Sequence, residues 1–252
     1  MYKFLIFPLL FVCLNSFGQD APVIFDRPGV SDSPYIVDSN RWIVESGISF
    51  SDQSDVSSVL TPNIMLRKHL GFKTELRATY NYSPQMMGMM NKNQDLGFDF
   101  IALGFKRKLW VEKSGLPEAS MIINSFYPTQ RLASFKQNDI YNLEVCFQFQ
   151  SHFSDYFALN YNVGTIFTNQ YKKGIVNYSL CATGLIHKNI EAFVEGFGYS
   201  ATNELAEFGY DAGIIFYPNR WSQIDVSVVN NRLYTTTYSG VFLGYSFSIN
   251  TK

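Results

Sequence analysis

Tyr141-Asn142-Leu143-Glu144-Val145-Cys146-Phe147-Gln148-Phe149-Gln150 is the stretch whose reading decides the fold. Tyr141, Leu143, Val145, Phe147 and Phe149 occupy every second position, and Asn142, Glu144, Cys146, Gln148 and Gln150 stand between them. Side chains on a β-strand point alternately to its two faces, so this segment has one apolar and one hydrophilic face. A helical period cannot produce that pattern. A second stretch sets Phe72, Thr74, Leu76, Ala78, Tyr80 and Tyr82 against Lys73, Glu75, Arg77, Thr79 and Asn81. Strands of about ten residues that alternate in this way build transmembrane barrels, which meet hydrocarbon outside and water inside.

Extending the template in both directions predicts an all-β, antiparallel, up-and-down transmembrane β-barrel of about twelve strands. The first six run near 42–50, 59–67, 72–82, 96–108, 118–126 and 140–150. The second six run near 156–167, 176–186, 190–199, 209–217, 223–229 and 238–249. Longer links follow the odd strands, at 51–58, 83–95, 127–139, 168–175, 200–208 and 230–237. Short links follow most even ones, at 68–71, 151–155, 187–189 and 218–222, with 109–117 longer. Long outer loops alternating with short periplasmic turns are what such barrels require. In the fourth strand the apolar residues change phase between Phe100 and Gly104, which predicts a bulge there.

Aromatic residues fall where hydrocarbon would meet headgroups. Trp42, Trp110 and Trp221 map to periplasmic strand ends, and Tyr80, Tyr82, Tyr127 and Phe167 to an outer girdle. A secreted β-sandwich would bury one face of each strand, whereas here charged and small residues recur opposite the aromatics.

Composition agrees with the pattern. The 252 residues include 16 Tyr and 23 Phe, yet only 16% are charged. A net charge of -1 argues against nucleic acid as a partner, since phosphate neutralisation needs a basic surface. Lys3 followed by the apolar run Phe4 to Leu14 and by Asn15-Ser16-Phe17-Gly18-Gln19 predicts a signal peptide over residues 1–19. Residues 20–40 then form an N-terminal segment, and 41–252 a single barrel domain. Cys13 leaves with the signal; Cys146 and Cys181 fall on non-adjacent strands, so no disulfide framework is expected.

The face opposite the apolar stripe supplies the expected lumen lining: Glu45, Lys73, Glu75, Arg77, Glu144, Glu191, Glu195, Asp211 and Asp225, with Arg67 a further basic candidate. Charge costs about 2 to 4 kcal/mol at mid-depth on the lipid side, so these residues belong inside whatever their role. Twelve strands fall between a barrel filled by its own side chains and a water-filled pore, which predicts a narrow passage. The segment 20–40 is rich in Pro, Asp and Ser, and Asp26, Arg27 and Asp32 are suited to pair with lumen charges as a plug. Lys106, Arg107, Lys108, Lys188 and Arg220 are read as a basic rim facing headgroups or water.

The opening Phe25-Asp26-Arg27-Pro28-Gly29-Val30-Ser31-Asp32-Ser33-Pro34-Tyr35, followed by Trp42-Ile43-Val44-Glu45-Ser46-Gly47, resembles that of the outer-membrane transporter family named after the meta-pathway of phenol degradation. Leu76-Arg77-Ala78-Thr79-Tyr80, Gly104-Phe105-Lys106 and Phe193-Val194-Glu195-Gly196 are further similarities. Pro128-Thr129-Gln130 stands where the family has Pro-Thr-Gly, and Asn250-Thr251-Lys252 replace the usual terminal aromatic. The resemblance implies a barrel of the bacterial outer membrane that carries small solutes, with small apolar or aromatic compounds as the class suggested by the family name.

The expected function is therefore an outer-membrane channel or transporter whose partners are outer-membrane lipids and a small-molecule solute. The alternative is a structural or surface-interaction barrel without transport. A lipid hydrolase would need Ser, His and an orienting carboxylate together. His69, His152 and His187 all map to short turns with no such company, so neither catalytic residues nor an enzyme are expected. Metal-ligand spacing and a glycine-rich phosphate loop are also missing, and no metal or cofactor is expected.

Overall fold

The computed structural model describes residues 22–53, 56–83, 98–128, 142–168, 171–201, 207–233 and 236–250. The expected signal peptide, with Asp20 and Ala21, lies outside the described residues, as do 84–97 and 129–141, the greater part of two expected outer loops.

The strands are β1 Arg41–Gln53, β2 Val56–Gly71, β3 Thr74–Ser83, β4 Phe98–Trp110, β5 Glu118–Pro128 and β6 Asn142–Ser154. They continue with β7 Phe157–Thr168, β8 Tyr171–His187, β9 Ile190–Ala201, β10 Glu207–Asn219, β11 Ser222–Leu233 and β12 Thr236–Asn250. Each pairs antiparallel with its sequence neighbours, and β1 pairs with β12, which closes the ring. Closure leaves no strand edge unpaired, the condition for placing a sheet in hydrocarbon.

Three expected links are shorter than the sequence suggests. β1 runs to Gln53 before β2 starts at Val56, β7 to Thr168 before Tyr171, and β11 to Leu233 before Thr236. The strand-forming residues Val56, Tyr171 and Thr236-Thr237-Tyr238 keep the ladder paired beyond the membrane-thickness stretch where alternation is clear. The bulge expected between Phe100 and Gly104 is not found. Register steps regularly from Ser83↔Phe98 to Thr74↔Arg107, and the irregularity lies instead between Lys108 and Trp110.

Lys73 is also placed differently from its expected position on the inner face. Gly71 ends β2, and Phe72 and Lys73 form a two-residue turn with φ of 49° and 56°, both exposed. Two consecutive left-handed residues match the twist of flanking strands, so the hairpin closes here and β3 starts only at Thr74. The alternation read from Phe72 onward had run through the turn.

Burial alternates along the walls. In β4, Ala102, Gly104 and Lys106 are buried while Ile101, Leu103 and Phe105 are exposed. In β11, Gln223, Asp225 and Ser227 are buried while Ile224, Val226 and Val228 are exposed. The exposed apolar side chains form an outer belt around the ring, a surface that only hydrocarbon can cover at this extent. Trp42, Trp110 and Trp221 mark the rim that carries the short turns, and Tyr80, Tyr127 and Phe167 lie exposed toward the opposite one. Placing Lys at Val226, opposite Ile214 and Leu243 in mid-wall, is expected to cost about 2 to 4 kcal/mol. Equilibrium folding of the V226K variant into lipid vesicles measures that loss.

Candidate functional site in the lumen

The N-terminal segment passes into the ring. Its Arg27 reaches Asp225 on β11 and Asn63 on β2, its Asp26 reaches Lys106 on β4, and its Val30 and Ser31 reach Glu195 on β9. These strands lie on different sides of a closed ring, so a chain segment that touches all of them lies inside it. At the tryptophan rim the segment is tied by the Val23 amide, which donates to the Arg220 carbonyl at 2.8 Å. Val23, Phe25 and Val37 bury against Ile43 of β1, with Tyr35 and Trp221 packed around them. That apolar contact contributes about 1.5 to 3 kcal/mol per fully buried side chain.

Above this contact lies a buried ionic cluster. The Asp26 carboxylate meets Lys106 Nζ at 2.9 Å, Arg67 Nη1 at 3.2 Å and Arg77 Nη1 at 3.3 Å. Arg67 also binds Glu75 with two nitrogens, Nε at 2.9 Å and Nη2 at 3.1 Å, and Glu45 through Nη1 at 2.8 Å. Its remaining donor reaches the Tyr35 carbonyl at 3.2 Å. Arg67 and Lys106 are both 0% exposed. Burial by itself would raise the Asp26 pKa, but Arg67, Lys106 and Arg77 together hold it well below the usual carboxylate range.

The wall also binds the backbone of the segment. Glu45 accepts the amides of Asp26 and Arg27, Glu75 accepts that of Val37, and Glu195 accepts those of Val30 and Ser31 together with the Ser31 hydroxyl. Gln223 donates to the Arg27 carbonyl at 3.1 Å, and Lys108 to that of Pro34 at 3.2 Å. Unpaired backbone groups are costly in a site shut off from water, and these side chains satisfy them. Glycine makes room for Arg27: a Cβ at Gly47 or Gly244 would fall on its guanidinium.

Of the expected lumen residues, the structure gathers Glu45, Glu75, Arg77, Glu195 and Asp225 directly around Asp26, Arg27, Asp32 and their neighbours. Glu144, Glu191 and Asp211 also face inward but do not bond the segment; Glu191 accepts the Tyr217 hydroxyl at 2.9 Å. Lys106 departs most from its expected place, being the buried counter-charge of Asp26 instead of a rim cation. Its neighbours Ala102 and Gly104 on the same face show the correct phase, but three consecutive basic residues read as a solvated run. Lys108 pairs with Glu118. Asn63, Gln223, Asn124 and Asn177 were missed because neutral amides carry no sequence signal beyond polarity.

A second group is centred on Glu144 of β6. Asn124 of β5, directly opposite it, donates Nδ2 at 2.9 Å, and Asn177 of β8 donates Nδ2 at 2.7 Å. Asn177 is two strands away and reaches Glu144 because its cross-strand neighbour on β7 is Gly164, where a Cβ would sit 2.5 Å from Asn177 Oδ1. A carboxylate only accepts, so both amides must turn their NH2 groups to Glu144.

Two cavities adjoin the segment, and Asp26, Arg27 and Gly29 line both. The one toward the loop rim measures about 340 Å³ and includes Asp32, Arg77, Glu144, Asn162 and Tyr199. The one toward the tryptophan rim measures about 310 Å³ and includes Phe25, Phe193, Ile215 and Tyr217.

The histidines take structural contacts. His69 Nδ1 lies 2.8 Å from the Val37 carbonyl, and His152 Nδ1 lies 2.5 Å from Glu112, a carboxylate partner that sequence reading did not foresee. Cys146 and Cys181 are free thiols on β6 and β8.

The comparisons with known proteins agree on architecture. An outer membrane channel from Pseudomonas putida F1 superposes with a TM-score of 0.64 at 10% identity, over 88% of this chain and 99% of that one. The KdgM porin, solved in complex with disordered oligogalacturonate, gives 0.59 at 7% identity, over 82% and 99%. The CymD monoaromatic hydrocarbon channel gives 0.51 at 10% identity, over 84% and 89%. No curated protein matches in sequence. A closed antiparallel barrel with an apolar belt belongs in the bacterial outer membrane. The family model described as "Putative MetA-pathway of phenol degradation" matches residues 25–249, and the chain belongs to that family.

Proposed function

We propose that this barrel is a narrow outer-membrane channel for small solutes, and that residues 22–40 act as its plug. The observation that carries the reading is the pair of lumen cavities, each near 300 Å³, that meet across Asp26, Arg27 and Gly29. A solute crossing the ring has to pass the segment that separates them. The family name suggests small apolar or aromatic compounds, and the inner cavity offers Phe193, Ile215 and Tyr217 for such a solute. No catalytic step belongs to this reading.

The alternative, a barrel without transport, draws on the same ionic cluster, which braces the wall at β1 to β4 whether or not anything passes. Planar-bilayer conductance separates the two. Deleting residues 22–40 after the signal region is expected to raise single-channel conductance several-fold, because about twenty residues leave the lumen. Unchanged conductance would count against the plug, and a barrel silent both with and without the segment would count against a channel.

A further inference from the structure

Most carboxylates in and close to the segment have a cation to neutralise them. Asp26 has Arg67, Arg77 and Lys106, Asp225 has Arg27, Asp32 has Arg77, and Glu45 and Glu75 share Arg67. Glu144 differs. Its hydrogen-bond partners are the two neutral amides of Asn124 and Asn177, and among the described residues it forms no ion pair. A carboxylate facing a cavity with only amide donors around it retains unused acceptor capacity and an unbalanced charge.

Its surroundings extend the same chemistry. The Oδ1 of Asn177, turned away from Glu144 by the bond its NH2 makes, has no partner. Neither has the Oδ1 of Asn162 on β7, a side chain of a residue only 9% exposed that lines the same cavity. A buried acceptor left without a donor costs free energy that a ligand donor recovers. Phe126 and Tyr199 line the cavity as well, which adds ring faces to a negative, acceptor-rich wall. Volumes of roughly 300 Å³ and more are typical of small-molecule sites.

We propose that the loop-side cavity is a binding site for a small organic ammonium ion, with Glu144 as its counter-charge, Asn162 and Asn177 as acceptors for its N–H groups, and Phe126 and Tyr199 against its hydrocarbon part. The proposal deepens the channel reading by naming a solute class, and it rests on that reading for its role in passage. An ammonium group supplies both a counter-charge for Glu144 and donors for the amide oxygens. An anion would meet Glu144 unfavourably, since Arg77 and Arg27 on the same wall are already paired with Asp32 and Asp225, and an uncharged solute would leave Glu144 without a counter-ion.

The test is isothermal titration calorimetry on the full mature barrel in detergent micelles, with benzylammonium, benzyl alcohol and benzoate as probes and empty micelles subtracted. Benzylammonium is expected to bind saturably, and the other two at least about tenfold more weakly, in keeping with a charge-assisted contact. Glu144→Gln is expected to weaken benzylammonium by about tenfold or more, while Glu112→Gln at the rim leaves it unchanged. Asn162→Leu is expected to weaken benzylammonium but not benzyltrimethylammonium, which has no N–H to donate. Equal binding of benzoate, or full affinity in the Glu144→Gln variant, would overturn the proposal. The comparison of probes on the unaltered chain keeps it testable even where a variant does not fold. Charge-selective binding by a barrel silent in bilayers would overturn the channel reading alone; conductance without such binding would overturn this one alone.

Discussion

Asp26→Asn is expected to free the N-terminal segment from the lumen while the barrel stays folded. The substitution removes the one carboxylate that joins Lys106, Arg67 and Arg77. Lys106 has no other ion-pair partner among the described residues and is 0% exposed, so it would be left as a buried, uncompensated charge. Breaking a buried pair from one side typically costs about 3 to 5 kcal/mol. The barrel wall keeps its own ladder and the Arg67 bonds to Glu45 and Glu75, so the loss falls on docking of the segment. Higher single-channel conductance and faster proteolysis within residues 22–40 are the expected readouts; native-like values for both would show that the apolar contact at Val23, Phe25 and Val37 suffices.

The same carboxylate sets a pH dependence. Docking holds the Asp26 pKa below that of a free aspartate, which is about 3.9. A lowered value in the docked state means that the stabilisation is complete above the free value and is lost as pH falls through the docked one. The Asp26 contribution to docking is therefore expected to stay constant above about pH 5 and to be lost only in acid below about pH 4, which a rise in conductance reads. Conductance that does not change between about pH 5 and pH 3 would contradict the assignment.

Arg67→Met is expected to give the largest loss of barrel stability of any single lumen substitution considered. Arg67 joins β1 to β3 through Glu45 and Glu75 and also reaches Asp26 and the Tyr35 carbonyl. Without it three buried carboxylates share the two cations Arg77 and Lys106, and the cost is again on the order of 3 to 5 kcal/mol. Arg67→Lys should not restore the loss, because an ammonium cannot reproduce the paired Nε and Nη2 contacts with Glu75. Adding Glu75→Gln to Arg67→Met is expected to recover part of the stability by removing one uncompensated charge. Urea unfolding in detergent micelles, followed by gel mobility of the unheated protein, measures all three.

Alternation is a local property, and it sufficed for the outer half of the structure. Residues 141–150 and 74–82 show in their own order which side chains meet hydrocarbon, and the same period assigns Glu45, Glu75, Glu195, Asp211 and Asp225 to the lumen. It failed at a turn, where the backbone leaves the strand geometry that the period assumes, and at a phase change within a regular strand. Lys73 sits in a turn with positive φ, and the phase change in β4 is not a bulge.

What the sequence by itself determined is the ring: strand count, the apolar exterior, the tryptophan rim and the sign of most lumen residues. A two-residue period with a charge penalty on the lipid side is enough to specify these. Only the tertiary structure decided the partners: that Lys106 meets Asp26 80 residues away, that Arg27 meets Asp225 198 residues away, and that Asn177 reaches Glu144 over Gly164. Register and ring closure set those distances, and neither is written in the neighbourhood of any one residue.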